Sequence, residues 1–187
     1  MIYTFIPYSD EKNLGDAYNA FLGLLGERDW AVLLDHDAMF TTYDWFRRIK
    51  RLVEAYPLAT FVGVTNRIGC RYQRCSAAPL GDDIRQHREF GESLPWDSLI
   101  DVSEESRELV GGVCVVISKA TWRAVGGFRQ NGILGVDNDL HRRIKAAGRA
   151  LLVAEGLYLY HWYRGGSGDR HHLEKPLDKS RAIVSNS

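Results

Sequence analysis

The sequence predicts an α/β protein, a single domain whose mostly parallel central sheet is flanked by helices. Two observations predict this fold. Apolar segments of strand length alternate with amphipathic helical segments from residue 2 to residue 64, which is the pattern of strand–helix–strand units. The length of 187 residues fits one domain, because about 150 residues per domain is the usual expectation.

The first third of the chain predicts three strands and two helices. They are a strand at 2–6, a helix at 13–25, a strand at 30–34, a helix at 45–56 and a strand at 59–64. The helices carry apolar residues at three- and four-residue steps. Pro7 and Pro57 end a strand and a helix, and Gly26 suits a helix C-terminus. Thr41 or Thr42 can cap the second helix.

The rest of the chain begins with a long irregular segment and then returns to regular elements. Residues 69–107 lack a clear period and contain prolines and glycines, which is typical of a functional loop that covers a site. The later elements are a strand at 109–117, a short helix from Ser118 to Gly126–Gly127, a helix at 137–147 closed by Gly148, and strand-like segments within 150–160. We expect residues 166–187 to form a flexible tail or lid.

Composition limits the partners and the compartment. Lys plus Arg and Asp plus Glu are equal at 24 each, which argues against a broad nucleic-acid-binding surface. Three cysteines cannot all pair, and Cys70 with Cys75 lacks the two further ligands of a structural zinc site. No apolar run approaches the ~20 residues of a membrane span. We therefore expect a cytoplasmic protein without a transmembrane segment and without a nucleic-acid partner.

Two carboxylates follow directly after the buried strand at 30–34. In the stretch Asp35-His36-Asp37, strand alternation places both carboxylates on one face. Like charges in a small volume are costly unless a cation relieves them. Hard divalent ions such as Mg²⁺ or Mn²⁺ prefer oxygen ligands, often one or two carboxylates plus substrate phosphates. The pattern therefore fits a metal site and, equally, carboxylates that cap the turn into the helix at Thr42.

A second acidic pair and a late histidine are further candidates. Asp137 and Asp139 stand at the start of a predicted helix, where carboxylates interact with the helix dipole or cap its backbone donors. Two carboxylates exceed what a cap needs, so one of them is a candidate general base. His161 follows an apolar strand and is either a ligand or an ordinary surface histidine. Arg164 nearby can bind a phosphate.

The order of these motifs resembles that of nucleotide-sugar glycosyltransferases with the glycosyltransferase-A fold. Asp35-His36-Asp37 is followed by GGVCVVISKATWRAVGGF at 111–128, GVDNDLHRRIKAAG at 135–148 and YHWYR at 160–164. This order is similar to the family 2-like enzymes and the galactosyltransferase group. The resemblance implies a Rossmann-like catalytic domain over residues 1–165, a UDP-linked sugar donor, a glycan or other hydroxyl acceptor, and Mn²⁺ or Mg²⁺ as cofactor.

The resemblance also implies a role for each acidic motif. Asp37 and His161 would bind the metal, and Asp35 would contact the donor ribose, or the metal through water. Asp137 matches the aspartate that takes the acceptor proton in inverting enzymes, which implies a hexosyltransferase of the inverting type. Asp139 would bind the acceptor or cap the helix.

On the donor side, the resemblance implies binding by the segment IPYSDEKNLGDAYN at 6–19 and by two glycines near residue 111. The implied donor-binding residues are Pro7, Tyr8, Ser9, Asn13, Asn19, Asp35, Gly111, Gly112 and Arg164. For Tyr8 a lid over the core is the alternative, and for the glycines a bulge in the strand.

Two departures from the family pattern keep alternatives open. The helix and strand that usually precede the Asn-x-Gly segment are missing, so the donor region is shortened and the nucleotide preference is open. Val136 stands where Glu is usual, which leaves open both the level of activity and the stereochemical outcome. A nucleotide-sugar-binding module with reduced turnover is therefore one alternative. A haloacid-dehalogenase-like phosphatase is another, although its motif needs Thr or Val where this chain has Met39.

Overall fold

The computed structural model describes residues 1–104, 110–129, 132 and 134–163. Within these ranges the protein is α/β, with seven strands in one mixed sheet and five helices. The strands are β1 (Ile2–Phe5), β2 (Trp30–Leu34), β3 (Ala38–Phe40), β4 (Thr60–Thr65), β5 (Leu99–Asp101), β6 (Cys114–Ser118) and β7 (Leu151–His161). The helices are α1 (Leu14–Leu24), α2 (Trp45–Ala55), α3 (Ile84–Ser93), α4 (Lys119–Ala124) and α5 (Val136–Ala146).

Most predicted elements are confirmed with small shifts at their ends. The helices α1, α2 and α5 lie where the apolar stripes predict them, and Ser118 caps α4 by accepting a bond from the Thr121 amide. The start of α2 differs, because its N-cap is Asp44, and Thr41 and Thr42 are buried side chains of the preceding loop. None of the described helices is both long and apolar enough to cross a membrane.

Three described elements are not predicted by the sequence pattern, namely β3, α3 and β5. The two strands have three residues each, too few for a period of two to be visible. Helix α3 lies within residues 69–107 and buries His87 and Gly91 rather than an apolar stripe. The His87 ring is within 2.6 Å of the Tyr158 hydroxyl and 2.8 Å of the Gly81 carbonyl oxygen. Polar burial of this kind escapes a search for apolar periodicity.

The sheet is mixed, and the predicted predominance of parallel strands is not found among the described strands. Its order is β1-β2-β6-β4-β7-β3, with β5 beside β7. The pairs β1–β2 and β4–β7 are parallel, whereas β6 is antiparallel to both of its neighbours and β7 is antiparallel to β3 and β5. Apolar periodicity identifies a strand but not its direction. The sequence therefore identifies β6 as a strand and misses its reversal.

A short connection forces the sheet to curl. β2 and β3 stand four places apart in the strand order, which is about 19 Å in a flat sheet. The end of β2 at Leu34 and the start of β3 at Ala38 are separated by a chain that spans at most about 14 Å. The register between β4 and β7 shifts at Gly63 and Val64, which gives β7 a bend. The curl brings the ends of β2 and β7 together.

Helices cover both faces of the sheet. Along β2, Ala31 and Leu33 belong to one apolar cluster, whereas Trp30, Val32 and Leu34 belong to a second. The first cluster includes buried residues of α1 and α5, and the second includes buried residues of α2. Every residue of β2 is buried, which explains its unbroken apolar sequence and leaves its polar neighbours at the end of the strand.

Candidate metal centre

Asp35 and Asp37 lie in the tight connection between β2 and β3. The Asp35 amide donates to the Val113 carbonyl at 3.0 Å, and the Ala38 amide donates to the Asp35 carbonyl at 3.2 Å. Both aspartates are half-buried and His36 between them is exposed, as predicted, but these residues lie in a turn and not in a strand. The backbone bonds thus hold two carboxylates at one end of the sheet.

His161 reaches this connection because β7 pairs with β3. Ala38 stands opposite His161 in the antiparallel register. The Trp162 amide donates to the Asp37 carbonyl at 2.9 Å and extends this pairing by one residue. The three side chains of Asp35, Asp37 and His161, here called the acidic cluster, each offer a ligand atom, and these atoms lie within 4.8 Å of one another.

The residues that follow β4 fix the orientation of His161. Its amide donates to the side-chain oxygen of Asn66 at 2.8 Å, and its ring Nδ1 lies 2.8 Å from the Arg67 carbonyl oxygen. A carbonyl oxygen only accepts, so Nδ1 carries a proton, and Nε2 either carries a second proton or presents a lone pair. Nε2 lies 3.2 Å from Asp37 Oδ1. Two acceptors at this distance need either a second ring proton or a cation between them.

A divalent cation fits this set of donors. Carboxylate oxygens and a neutral imidazole are ligands of Mn²⁺, while Mg²⁺ prefers oxygen ligands. Ligand atoms around one ion with bonds of about 2.1 Å are about 3 to 4 Å apart, so small side-chain movements within the acidic cluster would suffice. A ligand histidine usually donates its other ring proton to a carbonyl or carboxylate, and the Arg67 carbonyl has this position relative to His161.

Burial and charge make the acidic cluster electrostatically strained. Burial raises the pKa of the Asp35 carboxyl, His161 opposes this, and the Asp37 and Asp137 carboxylates raise the pKa further. Burial also raises the pKa of the Cys114 thiol to about 12, and the Asp35 carboxylate adds to this shift. Side-chain exposure is 16% for Asp37 and 7% for His161. Water therefore screens these charges poorly, and a cation would lower their repulsion.

Asp137 faces the same volume from α5. A Cβ added to Gly112 would lie 3.0 Å from the Asp137 Cβ, so only glycine lets α5 pack closely at this position. Burial raises the pKa of the Tyr18 hydroxyl, and the carboxylates of Asp35 and Asp137 raise it further. Asp137 is thus near enough to Asp35 to raise the pKa of that carboxyl, and it is a candidate to contact a molecule bound at the acidic cluster.

Asp139 is engaged elsewhere. Its Oδ2 accepts from Nη2 and Nε of Arg143 at 2.6 and 3.0 Å, and Arg143 also donates to the Val125 carbonyl. The N-cap of α5 is Gly135, which has a φ of 81° and no side-chain cap. Neither Asp137 nor Asp139 is therefore the capping residue. The ion pair gives Asp139 a structural role within α5.

Gly111 and Gly112 lie in the segment that leads into β6, not in the strand, which begins at Cys114. The predicted start of this strand at residue 109 is therefore wrong, and a bulge within the strand does not explain the glycines. The Gly111 amide donates to Gln73 Oε1 at 2.6 Å, and Gln73 Nε2 donates to the Gly111 carbonyl at 3.1 Å. His141 Nδ1 lies 2.9 Å from the Val110 carbonyl oxygen. These bonds hold the segment firmly beside Asp137.

Polar side chains of the predicted donor segment bond to each other. The Tyr8 hydroxyl donates to Asp10 at 2.6 Å, and Tyr8 is 80% exposed. The alternative that Tyr8 covers the core is therefore wrong. Ser9 Oγ accepts from the Asn13 amide at 2.9 Å, and the Asn13 side chain accepts from the Asp16 amide at 3.2 Å as the N-cap of α1. Each bond stabilises the turn into α1.

Asn19 joins α1 to the turn that follows α4. Its Oδ1 accepts from the Phe128 amide at 2.8 Å and from Trp122 Nε1 at 3.0 Å, while its Nδ2 donates to the Phe128 carbonyl at 2.8 Å. These bonds explain Asn19 structurally, without a ligand. Pro7 is half-buried after β1, and the predicted site residue Arg164 lies outside the described residues.

The sequence analysis missed Asn66, Arg67 and Gln73, which support the acidic cluster and the glycine segment. Asn66 directly follows a buried strand, as Asp35 does, so the same rule of polar residues at strand ends could have identified it. Its Nδ2 is buried and has no hydrogen-bond partner among the described residues. Gln73 lies in the segment predicted to be irregular, where no local pattern reveals its role.

Comparison with known proteins does not assign the chain to a family. None of the protein-family models matches the sequence. A search of curated proteins likewise returns no significant match.

Proposed function

We propose that the chain is a metal-dependent glycosyltransferase of the glycosyltransferase-A type, which moves a sugar from a nucleoside-diphosphate sugar, UDP-linked, to an acceptor hydroxyl. One observation carries the proposal. The ligand atoms of Asp35 and Asp37, which are neighbours in the chain, and of the distant His161 lie within 4.8 Å of one another. The order of sequence motifs, which resembles this class of enzyme, supports the choice of substrate.

The acidic cluster would bind the donor through a shared cation. Asp35 and Asp37 supply oxygen ligands and His161 a nitrogen ligand, oriented by the Arg67 carbonyl at 2.8 Å from Nδ1. A divalent cation bound there supplies Lewis-acid stabilisation of the charge that develops on the leaving diphosphate. The half-buried position of the cluster strengthens the electrostatic interaction, because water screens it less.

Asp137 is our candidate general base. One of its carboxylate oxygens accepts the proton of the acceptor hydroxyl. The acceptor oxygen bonds to the anomeric carbon as the bond from that carbon to the diphosphate breaks, and the nucleoside diphosphate leaves with the electron pair. Gly112 leaves room for Asp137 at this position. The hydrogen bonds that fix residues 110–113 next to Asp137 support a fixed geometry for the attack.

A panel of nucleotide sugars with Mn²⁺, assayed for release of nucleoside diphosphate, tests the proposal. The parent chain should release the nucleotide from at least one donor. Asp37→Ala should lose metal-dependent donor binding and keep its fold, whereas Asp137→Asn should bind the donor and lose about 10²- to 10⁴-fold in turnover. Asp139→Asn is the matched control and should keep turnover within a few-fold. Equal turnover in parent and Asp137→Asn would remove Asp137 from the mechanism.

One observation favours a second candidate, a nucleotide-sugar-binding module with reduced turnover. Val136, which stands in place of the Glu usual in the resembling enzymes, is only 2% exposed and belongs to the core. The acceptor side therefore lacks this carboxylate. Metal-dependent donor binding without release of nucleotide, with any acceptor, would select this candidate. None of the three cysteines forms a disulfide bond within the described residues, which supports a reducing compartment such as the cytoplasm for either candidate.

A further inference from the structure

A cleft of about 350 Å³ lies between the edge strand β3 and helix α3. Its walls include Met39 and Phe40 of β3, Tyr43 and Trp45 of the following loop and helix, and Arg85 and Arg88 of α3. This volume is within the usual range of small-molecule sites. The cleft is separate from the acidic cluster, and none of the roles assigned above uses it.

The charge of the cleft is one-sided. Both charged side chains that line it are arginines, and no carboxylate is among the lining residues. Arg85 forms no ion pair or side-chain hydrogen bond with any residue that the structure describes. Arg88 Nε already lies 3.8 Å from Glu92 Oε1, while Asp83 caps α3 and Asp82 pairs with Arg67 at 2.8 Å. The cleft therefore offers a guanidinium fork to an anionic group.

Aromatic rings form the other wall. Tyr43 is 85% exposed, yet Arg88 holds it by a hydrogen bond of 3.1 Å to its hydroxyl and lies 5.5 Å from the ring centroid. Trp45 stacks on Phe40 with centroids 4.4 Å apart. Met39 is 44% exposed. Large apolar side chains that are exposed together mark a binding surface. An aromatic ring in a fixed orientation can pack against the apolar face of a sugar ring.

The cleft lies next to the acidic cluster along β3. Met39 stands opposite Tyr160 in the register, one residue pair beyond Ala38 and His161. Asp37 lies in the turn just before β3, and Met39 follows it by two residues, so their Cα atoms are at most about 7 Å apart. A molecule in the cleft could therefore extend to a reaction at the acidic cluster.

We propose that this cleft binds a pyranose carrying an anionic group, a carboxylate or a phosphate, as the part of the acceptor that is remote from the reacting hydroxyl. Arg85 binds the anionic group, and Tyr43, positioned by Arg88, packs against the ring. The inference rests on the proposed function for its identification of the ligand as an acceptor. The binding itself requires neither the metal nor the donor.

Metal-free protein titrated with four probes tests the inference, with amide chemical shifts in NMR as the readout. The probes are glucuronate, glucose 6-phosphate, glucose and inorganic phosphate. At least one charged sugar should bind about tenfold or more tightly than glucose and inorganic phosphate, because a charged hydrogen bond is added to ring packing. The stronger of the two charged sugars distinguishes a carboxylate from a phosphate.

Variants locate the binding. Arg85→Ala and Tyr43→Ala should each weaken the better probe about tenfold, whereas Arg28→Ala, the matched loss of an exposed arginine elsewhere on the surface, should leave its affinity unchanged. Binding of both charged sugars no tighter than that of glucose or inorganic phosphate, or equal affinity in Arg85→Ala and Arg28→Ala, would overturn the inference. Binding of Mn²⁺ to the same samples is measured separately, so failure of the cleft is distinguishable from failure of the metal centre.

Discussion

The acidic cluster and the segment at residues 7–19 are both polar, and both were predicted to bind the donor, but they differ in how their polar groups are used. In the N-terminal segment, Ser9, Asn13 and Asn19 use their side chains in bonds within the protein. In the acidic cluster, His161 Nε2 lies 3.2 Å from Asp37 Oδ1, and these two atoms need either a second ring proton or a cation between them. A side chain that bonds within the protein needs no ligand, whereas a cation is one of the two ways to satisfy Asp37 and His161. The two regions therefore differ in the geometry of their polar groups and not in residue type.

The largest expected effect is loss of metal binding in Asp37→Asn. This change keeps the size of the side chain and removes one charged ligand, so affinity for Mn²⁺ should fall at least about 100-fold. Ser9→Ala removes a polar group from the N-terminal segment and should change the affinity by less than about threefold. Isothermal titration with Mn²⁺ measures both. A similar loss in the two variants would break the contrast between the regions.

Asn19→Ala should instead lower the stability of the protein and leave its Mn²⁺ binding unchanged. Three bonds to Trp122 and Phe128 would be lost, and the free energy of unfolding should fall by about 2 to 4 kcal/mol. Asn13→Ala, which removes one helix cap, should cost about 1 kcal/mol. Urea denaturation measures these changes. If Asn19→Ala weakened Mn²⁺ binding in the still-folded protein, the structural role given to Asn19 would be incomplete.

The dependence of stability on pH should differ between the parent chain and Asp35→Asn. Because the folded protein raises the pKa of Asp35, this carboxyl favours folding while it is protonated. The contribution is fully present below its unfolded pKa of about 3.9 and is lost as pH rises through the folded pKa. In metal-free buffer, Asp35→Asn should therefore gain stability over the parent as pH rises from about 4.

Thermal unfolding at several pH values measures this difference. Saturating Mn²⁺ should reverse the ranking at neutral pH, since only the parent keeps the full set of ligands. A stability difference that did not change with pH would show that Asp35 is not the strained carboxyl of the acidic cluster.

The smallest expected effect is that of Asp139→Asn on stability. Its ion pair with Arg143 has side-chain exposures of 22% and 16%, so its loss should cost about 1 kcal/mol or less. Urea denaturation again provides the measurement. A loss of several kcal/mol would indicate that the Asp139–Arg143 pair anchors α5 against the rest of the fold.

The sequence predicts well where strands end and poorly which strands pair with each other. Asp35, Asp37 and His161 follow apolar strands, and this local pattern was enough to mark each as a candidate. Their proximity depends on the pairing of Ala38 with His161 in a three-residue strand, which no periodicity predicts. The antiparallel direction of β6 is likewise set by tertiary contacts. Local signals thus marked the three residues as candidates, and the long-range topology brings them together.

A crystal of the protein grown with Mn²⁺ and analysed by anomalous diffraction tests the central claim most directly. The account predicts one strong peak about 2.0 to 2.3 Å from a carboxylate oxygen of Asp37 and from His161 Nε2, with Asp35 in direct contact or bridged by water. No peak at this position at saturating Mn²⁺, with His161 still paired directly to Asp37, would contradict the claim.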